Sequence, residues 1–478
     1  MATAGTLTGL ALAFAGVRLL LILGVSELPR LRDIPFDFRV VLFALAALLA
    51  TTFLIGLAPA LRLARIDIRS LLNDSGRGAT SARTTQRIFS TMIVGEIVVA
   101  ITLVAGAGWL VRSFSNLAAT DSGFTAQGRL IFDLFVPVPR YRTQEAATAW
   151  ATAVAGELKG VGGVTAVAST SMIPFRAERD VDYYIGVHGE VDDPRRQITA
   201  RLRFASPDFF TAMGVRLIAG REFTIDDRPG PATSIAIVNR AFVARYLHGR
   251  DPLKEPFYWG FPTVNRSRPY TVVGVVEDIK YASPGEMAEP TFYVPLSVGR
   301  QQTMVVASSL SNPGTLAAQV RAAIKKIDPV ITVEPQPLSD LVAASLSRQR
   351  LGLTLMLIFA GAALLLAAIG IYGVIAYASA QRRGEVATRM ALGATPSRVF
   401  WMLMNQGRTL SLIGATLGLI AAYAAGRVVT SSLYEVRASD PAILVAAVVI
   451  VVAISLIAVL IPARRAAQID LARTLRLE

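Results

Sequence analysis

Six apolar runs constrain this chain more than any other feature. A helical span needs about 20 consecutive apolar residues. The first run extends from the N-terminus to about Val25, broken only by Arg18. The second lies between Arg39 and Arg62, and the third between Arg87 and Arg112, with Glu96 as its one charge. The fourth lies between Arg350 and Arg382, the fifth between Arg408 and Arg427, and the sixth between Asp440 and Arg464. Inside hydrocarbon every backbone polar group must be satisfied within the segment, so all six are expected to be helices. The first has no basic n-region and no small-x-small cleavage site, so it reads as a span and not a signal peptide. The fourth is longer than a bilayer requires, and Arg348-Gln349-Arg350 reads as its helical continuation out of the membrane.

Charge orients the spans, because Lys and Arg are retained on the cytoplasmic side. The 62–87 linker carries six arginines, Arg62, Arg65, Arg69, Arg77, Arg83 and Arg87, against Asp67 and Asp74. The 382–408 linker carries Arg382, Arg383, Arg389, Arg398 and Arg408 against Glu385. The C-terminus carries Arg464, Arg465, Arg473 and Arg476. These three faces are assigned to the cytoplasm, so both termini lie inside and segment 114–348 lies outside. This distribution also accounts for a net charge of +14 and an isoelectric point near 10.4. No basic run is interleaved with aromatics as single-stranded nucleic acid would require, so no nucleic-acid partner is expected.

Segment 114–348 has its own punctuation. RLIFDLFVPV (129–138) is a strand signal stopped by prolines. TQEAATAWATAVAGELKGV (143–161) is an amphipathic helix ended by glycine, and VTAVASTSMIP (164–174) is a second strand. Over 205–227 a short helix, a strand and a turn follow, and 234–247 is a strand running into a helix. Strands are expected at 269–281, 290–297, 304–310 and 330–338, with a helix over 314–326. The fold class is therefore an α-helical membrane protein, with six predicted transmembrane helices and an inserted α+β periplasmic domain.

Chemistry is hard to find in that domain. The chain has no cysteine and two histidines, His188 and His248, far apart in sequence. No nucleophile elbow, HExxH or Gly-Lys-Ser/Thr phosphate loop occurs, so this chain is not expected to be an enzyme or to hydrolyse ATP. Asp180 with Asp182, and Asp226 with Asp227, read as solvated loop carboxylates. No catalytic residue, metal site or cofactor is expected.

The two ends of the chain resemble each other. PALRLARIDIRSLL (59–72) and PARRAAQIDLARTL (462–475) share Pro, Ala, Arg, Ala, Ile, Asp and Leu at one offset of 403, and Asp37 and Asp440 keep that offset. Gly5, Gly9 and Arg18 match Gly414, Gly418 and Arg427 at an offset of 409. Matches at polar Arg, Asp and Pro positions point to duplication. Residues 1–61 are then expected to be two spans left from a first repeat, and the half-copy expected ahead of Met1 belongs either to a longer parent chain or to a part supplied separately.

The 381–400 stretch, QRRGEVATRMALGATPSRVF, sits between two spans on the inside face yet is built like a short helix. Glu385 and Arg389 lie one turn apart, and Gly393-Ala394 permits close approach by a partner. A helix so placed can receive force, or can simply anchor the loop at the interface. GEVATRMALGATPSRVF (384–400) resembles the E-[IV]-x-x-R-x-A-x-G-A segment of MacB/FtsX-type ABC transporter permeases. PARRAAQIDLARTL is similar to their C-terminal ending, although Asp470 stands near the usual proline. The duplication, SPDFFTAMGVRLIAGREFT (206–224) and IVNRAFVARYLHGRDPL (237–253) are similar to the duplicated permeases of Acidobacteria.

The resemblance implies an organisation and a mechanism. Residues 1–61 would be the remnant of a first FtsX-like repeat, 62–87 a cytoplasmic linker, 88–113 a transmembrane helix and 114–348 a MacB-like periplasmic domain. Residues 349–478 would be an FtsX-like three-helix membrane domain with a coupling helix at 383–395. In the family a separate cytosolic ATPase closes on ATP, and the permease relays that motion to the periplasmic domain. The coupling residues would be Arg383, Glu385, Arg389, Leu392, Gly393 and Ala394. The setting would be the bacterial inner membrane, with the lipid bilayer, the ABC ATPase, a second permease copy and a periplasmic adaptor as the partners such a chain can take. The alternative is an FtsX-like scaffold regulating a periplasmic enzyme without transport. Within the spans, Glu96 is expected either to pack or hydrogen-bond against the fourth helix or to couple helices. Arg18 and Arg427 are expected to snorkel to the outer face. Gly361, Gly370, Gly373, Gly414 and Gly418 are expected at close helix contacts.

Overall fold

The computed structural model describes residues 78–135, 141, 143–176, 182–187, 198–227, 234–259, 269–296, 301–310, 313–381, 395–429 and 433–467, with scattered positions between 9 and 49. Apart from those positions, spans one and two and the repeat copy at 59–72 lie outside the described residues. Helix α1 (Gly78–Ala119) is followed by β1 (Arg129–Phe135), α2 (Gln144–Lys159), β2 (Val164–Thr170), β3 (Asp182–Val187), β4 (Thr199–Ala205), α3 (Phe209–Met213), β5 (Leu217–Gly220) and β6 (Ile235–Asn239). Helix α4 (Arg240–Phe242) runs into a π turn, Val243–Leu247. Then come β7 (Phe257–Trp259), β8 (Thr271–Val276), β9 (Thr291–Pro295), β10 (Gln301–Ser308), α5 (Ala317–Ile327), β11 (Gln336–Pro337) and α6 (Leu338–Ser345). Three long helices end the described chain, α7 (Ser347–Gln381), α8 (Pro396–Val429) and α9 (Pro441–Ala467). The chain divides into two units, one of residues up to Asn116 together with those from Ser347 onward, the other Leu117–Leu346.

The first unit contains α1, α7, α8 and α9. Among the described residues these four helices are long and apolar enough to cross a membrane, over Phe89–Ala119, Ser347–Ala380, Pro396–Val429 and Pro441–Arg465. Helix α1 exceeds its expected span at both ends, starting ten residues earlier inside the expected linker and running to Ala119. Its 42 residues make roughly 60 Å of helix against about 30 Å of hydrocarbon. Prolines start two helices. Pro396 opens α8 and Pro441 opens α9, where the missing N–H has no intrahelical partner to lose. Asp440 caps α9, its Oδ1 accepting from the Ala442 amide at 3.0 Å. One core joins all four helices, with Ile97, Ile101 and Trp109 of α1, Ile371 of α7, Ala415 and Ala422 of α8, and Val451 and Val459 of α9.

The second unit is a mixed sheet with helices. Its path runs β11-β1-β10-β2-β4-β9-β6-β8-β5, and β3 branches from β4 to meet β7. β1 and β2 are parallel but do not touch, because β10 pairs antiparallel with both. β11 pairs antiparallel with β1 on its other side. The sequence β1-α2-β2 and β10-α5-β11 therefore forms the split β-α-β arrangement of a ferredoxin-like sheet. Everything from β3 to β9 is inserted between its halves. Helices α2 and α5 cover one face, burying Trp150, Val154, Leu158, Val320 and Ile324 against Leu130, Phe132, Met304 and Val306. Helix α3 covers the other face with Phe209, Phe210 and Met213, next to Ile131, Ala168 and Val305. Local signals start and stop these elements. Thr143 Oγ1 caps α2 by accepting from the Ala146 amide, and Gly160 ends it.

The expected strand at 330–338 is mostly absent, with only Gln336–Pro337 pairing with β1. Pro335 and Pro337 remove donors from that stretch, which confines it to the sheet edge. The strand at 164–174 stops at Thr170. β3, β4 and β7 were not expected. β4 carries Arg201 and Arg203, charges that disguise a strand alternating about Ala200 and Leu202, both buried.

Candidate functional site

The expected coupling residues Arg383, Glu385, Arg389, Leu392, Gly393 and Ala394 lie outside the described residues. The structure describes what brackets them, namely α7 ending at Gln381 and α8 beginning at Pro396. Thr395 closes the turn into α8, its carbonyl accepting from the Arg398 amide at 2.9 Å. Both bracketing helices are the apolar spans already described, so whatever acts on this segment acts on the ends of two membrane helices.

Within the four-helix unit the contacts are made by small residues. One face of α8 buries Gly407, Ser411, Gly414, Ala415, Gly418, Ala422 and Gly426. A Cβ added at Gly414 would come within 2.6 Å of Ile97, and one at Gly418 within 2.9 Å of Ile101. At Gly426 it would strike the Trp109 ring at 2.7 Å. α1 therefore lies directly against this stripe, a spacing that packing by small residues permits. On α7, Gly370 faces Glu96, and a Cβ there would overlap the carboxylate. Glu96 thus rests on the notch that Gly370 leaves, with its Oε2 buried and without a hydrogen-bond partner. Such a carboxylate in a helix interface is expensive unless its environment serves a purpose.

Two of the expected packing glycines are corrected. Gly361 and Gly373 have nothing within 4 Å of an added Cβ, whereas Gly407 meets Val459, Gly106 meets Met356 and Gly108 meets Ile443. Helix α7 is apolar around its whole circumference, so its sequence carries no phase that tells a packed glycine from a lipid-facing one. The amphipathic α8 does carry one, and there both named glycines are packed. Arg427 is exposed in the last turn of α8. Arg18 lies outside the described residues.

Of the flagged carboxylates, Asp227 and Asp182 are paired with arginines, and Asp182 lies in β3 and not in the expected loop. Asp227 pairs with Arg221 and accepts from the Thr224 amide at 2.8 Å, closing a turn. The Arg221 guanidinium, with help from Thr224, holds the Asp227 carboxyl below its ordinary value. Asp182 pairs with Arg201 at 3.3 Å, and Asp180 lies outside the described residues. His248 ends the π turn with a left-handed backbone, φ 44°, and His188 lies outside the described residues. Among the described residues no three His, Cys, Asp or Glu side chains are grouped to hold a metal. A polar cluster that the sequence did not announce surrounds Arg203, which is 3% exposed. Its guanidinium lies 4.6 Å from the Tyr281 ring centre, and Tyr281 reaches the Tyr293 hydroxyl at 3.4 Å.

Two family models match the chain. The FtsX-like permease C-terminal model covers residues 357–471, and the MacB-like periplasmic core domain covers 90–327. A relative, the macrolide export ATP-binding/permease protein MacB of Hahella chejuensis, is 24% identical over 292 residues, or 57% of this chain. The match takes in 42% of that relative's length, so the chain spans less than half of it. Among solved structures, the periplasmic region of MacB from Actinobacillus actinomycetemcomitans covers 47% of this chain and 95% of its own, at 15% identity and a TM-score of 0.31. The extracellular domain of the ABC-type transporter YknZ from Gram-positive bacteria covers 43% and 99%, at 14% identity and a TM-score of 0.28.

Proposed function

Given that the chain is a MacB/FtsX-type ABC permease, we propose that it relays the motion of a separate ATPase to its own outside domain. The observation that carries this is the order of parts on one chain. A MacB-like periplasmic core stands ahead of an FtsX-like membrane segment. The described helices α7 and α8 bracket the inside segment on which a motor would act. The permease domains supply no nucleotide site of their own, so ATP hydrolysis belongs to a partner subunit seated on 383–395. Glu385 and Arg389 would make the polar contact with it, and Leu392, Gly393 and Ala394 would let its surface approach closely. Arg383 would add charge at the edge of that seat. Termini in the cytoplasm, the domain in the periplasm, a second permease copy and a periplasmic adaptor all belong to this reading.

The test is purification of the tagged protein from its native membrane in mild detergent. Co-purifying proteins are then identified and ATP hydrolysis assayed, alongside a Glu385→Lys variant. The reading predicts an ABC ATPase that is present with the wild type and lost or uncoupled in the variant. A folded wild-type preparation that never carries an ATPase, or a variant with unaltered hydrolysis and partner retention, would sink it and favour the scaffold alternative.

A further inference from the structure

At the end of the four-helix unit away from 382–395, the connection from α8 to α9 folds back onto α1. It is described from Leu433 to Asp440. The Tyr434 amide donates to Ser113 Oγ at 2.9 Å, and Asn116 Nδ2 donates to the Glu435 carbonyl at 3.2 Å. Ser113 and Asn116 lie three residues apart on α1 and so share one face of it. Beside these bonds Val436 and Ala438 are buried. A Cβ added at Gly426 would strike both the Trp109 ring and Ala438, and one at Gly108 would strike Ile443 in the first turn of α9 at 2.7 Å.

Glu435 offers its carbonyl from a left-handed backbone, φ 50°. Residues with a Cβ seldom adopt that conformation, and where they do their surroundings hold them in it. Here the turn aims the Glu435 carbonyl at Asn116 and the preceding amide, that of Tyr434, at Ser113. Further on, the Asp440 amide donates to the Arg437 carbonyl at 3.0 Å, which leads into the capped start of α9. A connection whose only task was to turn the chain between two helices would need no bond to α1.

The rest of the contact between α1 and α8 has a different character. Ile97 and Ile101 meet Gly414 and Gly418 by shape alone. Such contacts set how near the two helices lie. Hydrogen bonds are directional, so the pair at Ser113 and Asn116 also sets where α1 stands along the α8–α9 hairpin. Toward the start of α8 the notch at Gly407 is taken up by Val459 of α9 instead. Helix α8 is thus held to α9 near its start and to α1 farther along.

We propose that the 433–440 connection is a clasp that fixes α1 in register with α8 and α9, with Ser113 and Asn116 as its positioning residues. A displacement entering α8 at Pro396 then arrives in α1 at Asn116. This rests on the proposed relay of motion, but the clasp is tested without any ATPase, on the full chain in lipid nanodiscs. In hydrogen exchange the Tyr434 amide should exchange about five- to tenfold faster in Ser113→Ala. It should return toward the wild-type rate in Ser113→Thr, which restores the acceptor. The chain has no cysteine, so introduced pairs are labelled uniquely. Spin labels would be placed on Arg112→Cys with Val428→Cys near the clasp, and on Met92→Cys with Leu412→Cys away from it, all four positions being exposed. Adding Ser113→Ala with Asn116→Asp, which removes the acceptor and the side-chain donor, should widen the first distance distribution about twofold and leave the second unchanged. An unaltered first pair in the folded variant, equal widening of both pairs, or unaltered exchange in Ser113→Ala would overturn the inference. If the double variant does not fold, the exchange rates of Ser113→Ala and Ser113→Thr still decide. Absence of an ATPase in the pull-down would count against the relay while leaving these rates and widths as they are.

Discussion

The two units of this protein solve the same problem in different solvents. The outside unit excludes water with large side chains. Phe209, Phe210, Phe242, Phe257, Phe292 and Tyr293 are almost wholly buried, and strand pairing satisfies the backbone. The membrane unit has no such gain available, because lipid tails are as apolar as leucine. It brings helices together by removing side chains, at Gly414, Gly418 and Gly426 against Ile97, Ile101 and Trp109. Other large apolar residues point outward, with Leu365, Leu366 and Ile369 of α7 exposed. The lesson is that large side chains meet one another in the outside core, whereas in the membrane core large side chains of one helix meet missing ones on the next.

The largest test of this contrast is Phe210→Ala. It should cost the outside unit about 3–5 kcal/mol by opening a cavity, read as a fall in its thermal or denaturant midpoint. The membrane contacts should be unchanged. Next is Gly414→Val, expected to cost about 1–3 kcal/mol through overpacking on Ile97. Gly361→Val and Gly373→Val serve as controls without a neighbour to strike, and thermal stability in detergent distinguishes the three. Equal losses at all three positions would break the comparison.

Glycine outside the membrane should behave in the opposite sense. Gly156, inside α2, has nothing within 4 Å of an added Cβ. Gly156→Ala should stabilise by roughly 0.5–1 kcal/mol through helix propensity, measured by denaturant unfolding of the outside unit. The smallest effect is expected from Asp227→Asn. The Arg221 partner is half exposed, which holds such pairs to about 0.2–1 kcal/mol. Because the folded Asp227 carboxyl titrates lower than the unfolded one, the contribution is present above about pH 4 and fades as pH falls through the lower folded value. Wild type and variant should therefore differ in stability at neutral pH and converge in acid.

The outside strands were legible where apolar residues alternated or ran together, as in RLIFDLF and TFYVP. They were hidden where arginines occupied the buried side, as at Arg203 in β4. Side-chain chemistry there is settled by Tyr281, which is distant in sequence. The inserted position of β3–β9 was not legible either, since no local signal tells β2 to wait for β10. Of the candidate site, the sequence singled out Glu96 but not its seat on Gly370. The phase of α7 decides that seat, and a helix that is apolar all round does not display its phase. The 381–400 segment keeps the standing of a proposal drawn from its residue pattern and its family.

The split sheet has a consequence in time. Asp133 in β1 meets Thr303 of β10 across 170 residues. At synthesis rates of about 5–20 residues per second, β1 waits roughly 10–35 seconds, and β2 about a fifth less, for the strand that joins them. During that interval two unpaired edges stand open on freshly translocated chain, where an edge is a template for wrong partners. The slow step of biogenesis should therefore be completion of this sheet, ahead of helix packing in the membrane. Slowing elongation between β2 and β10 should raise misassembly more than slowing it anywhere after β11.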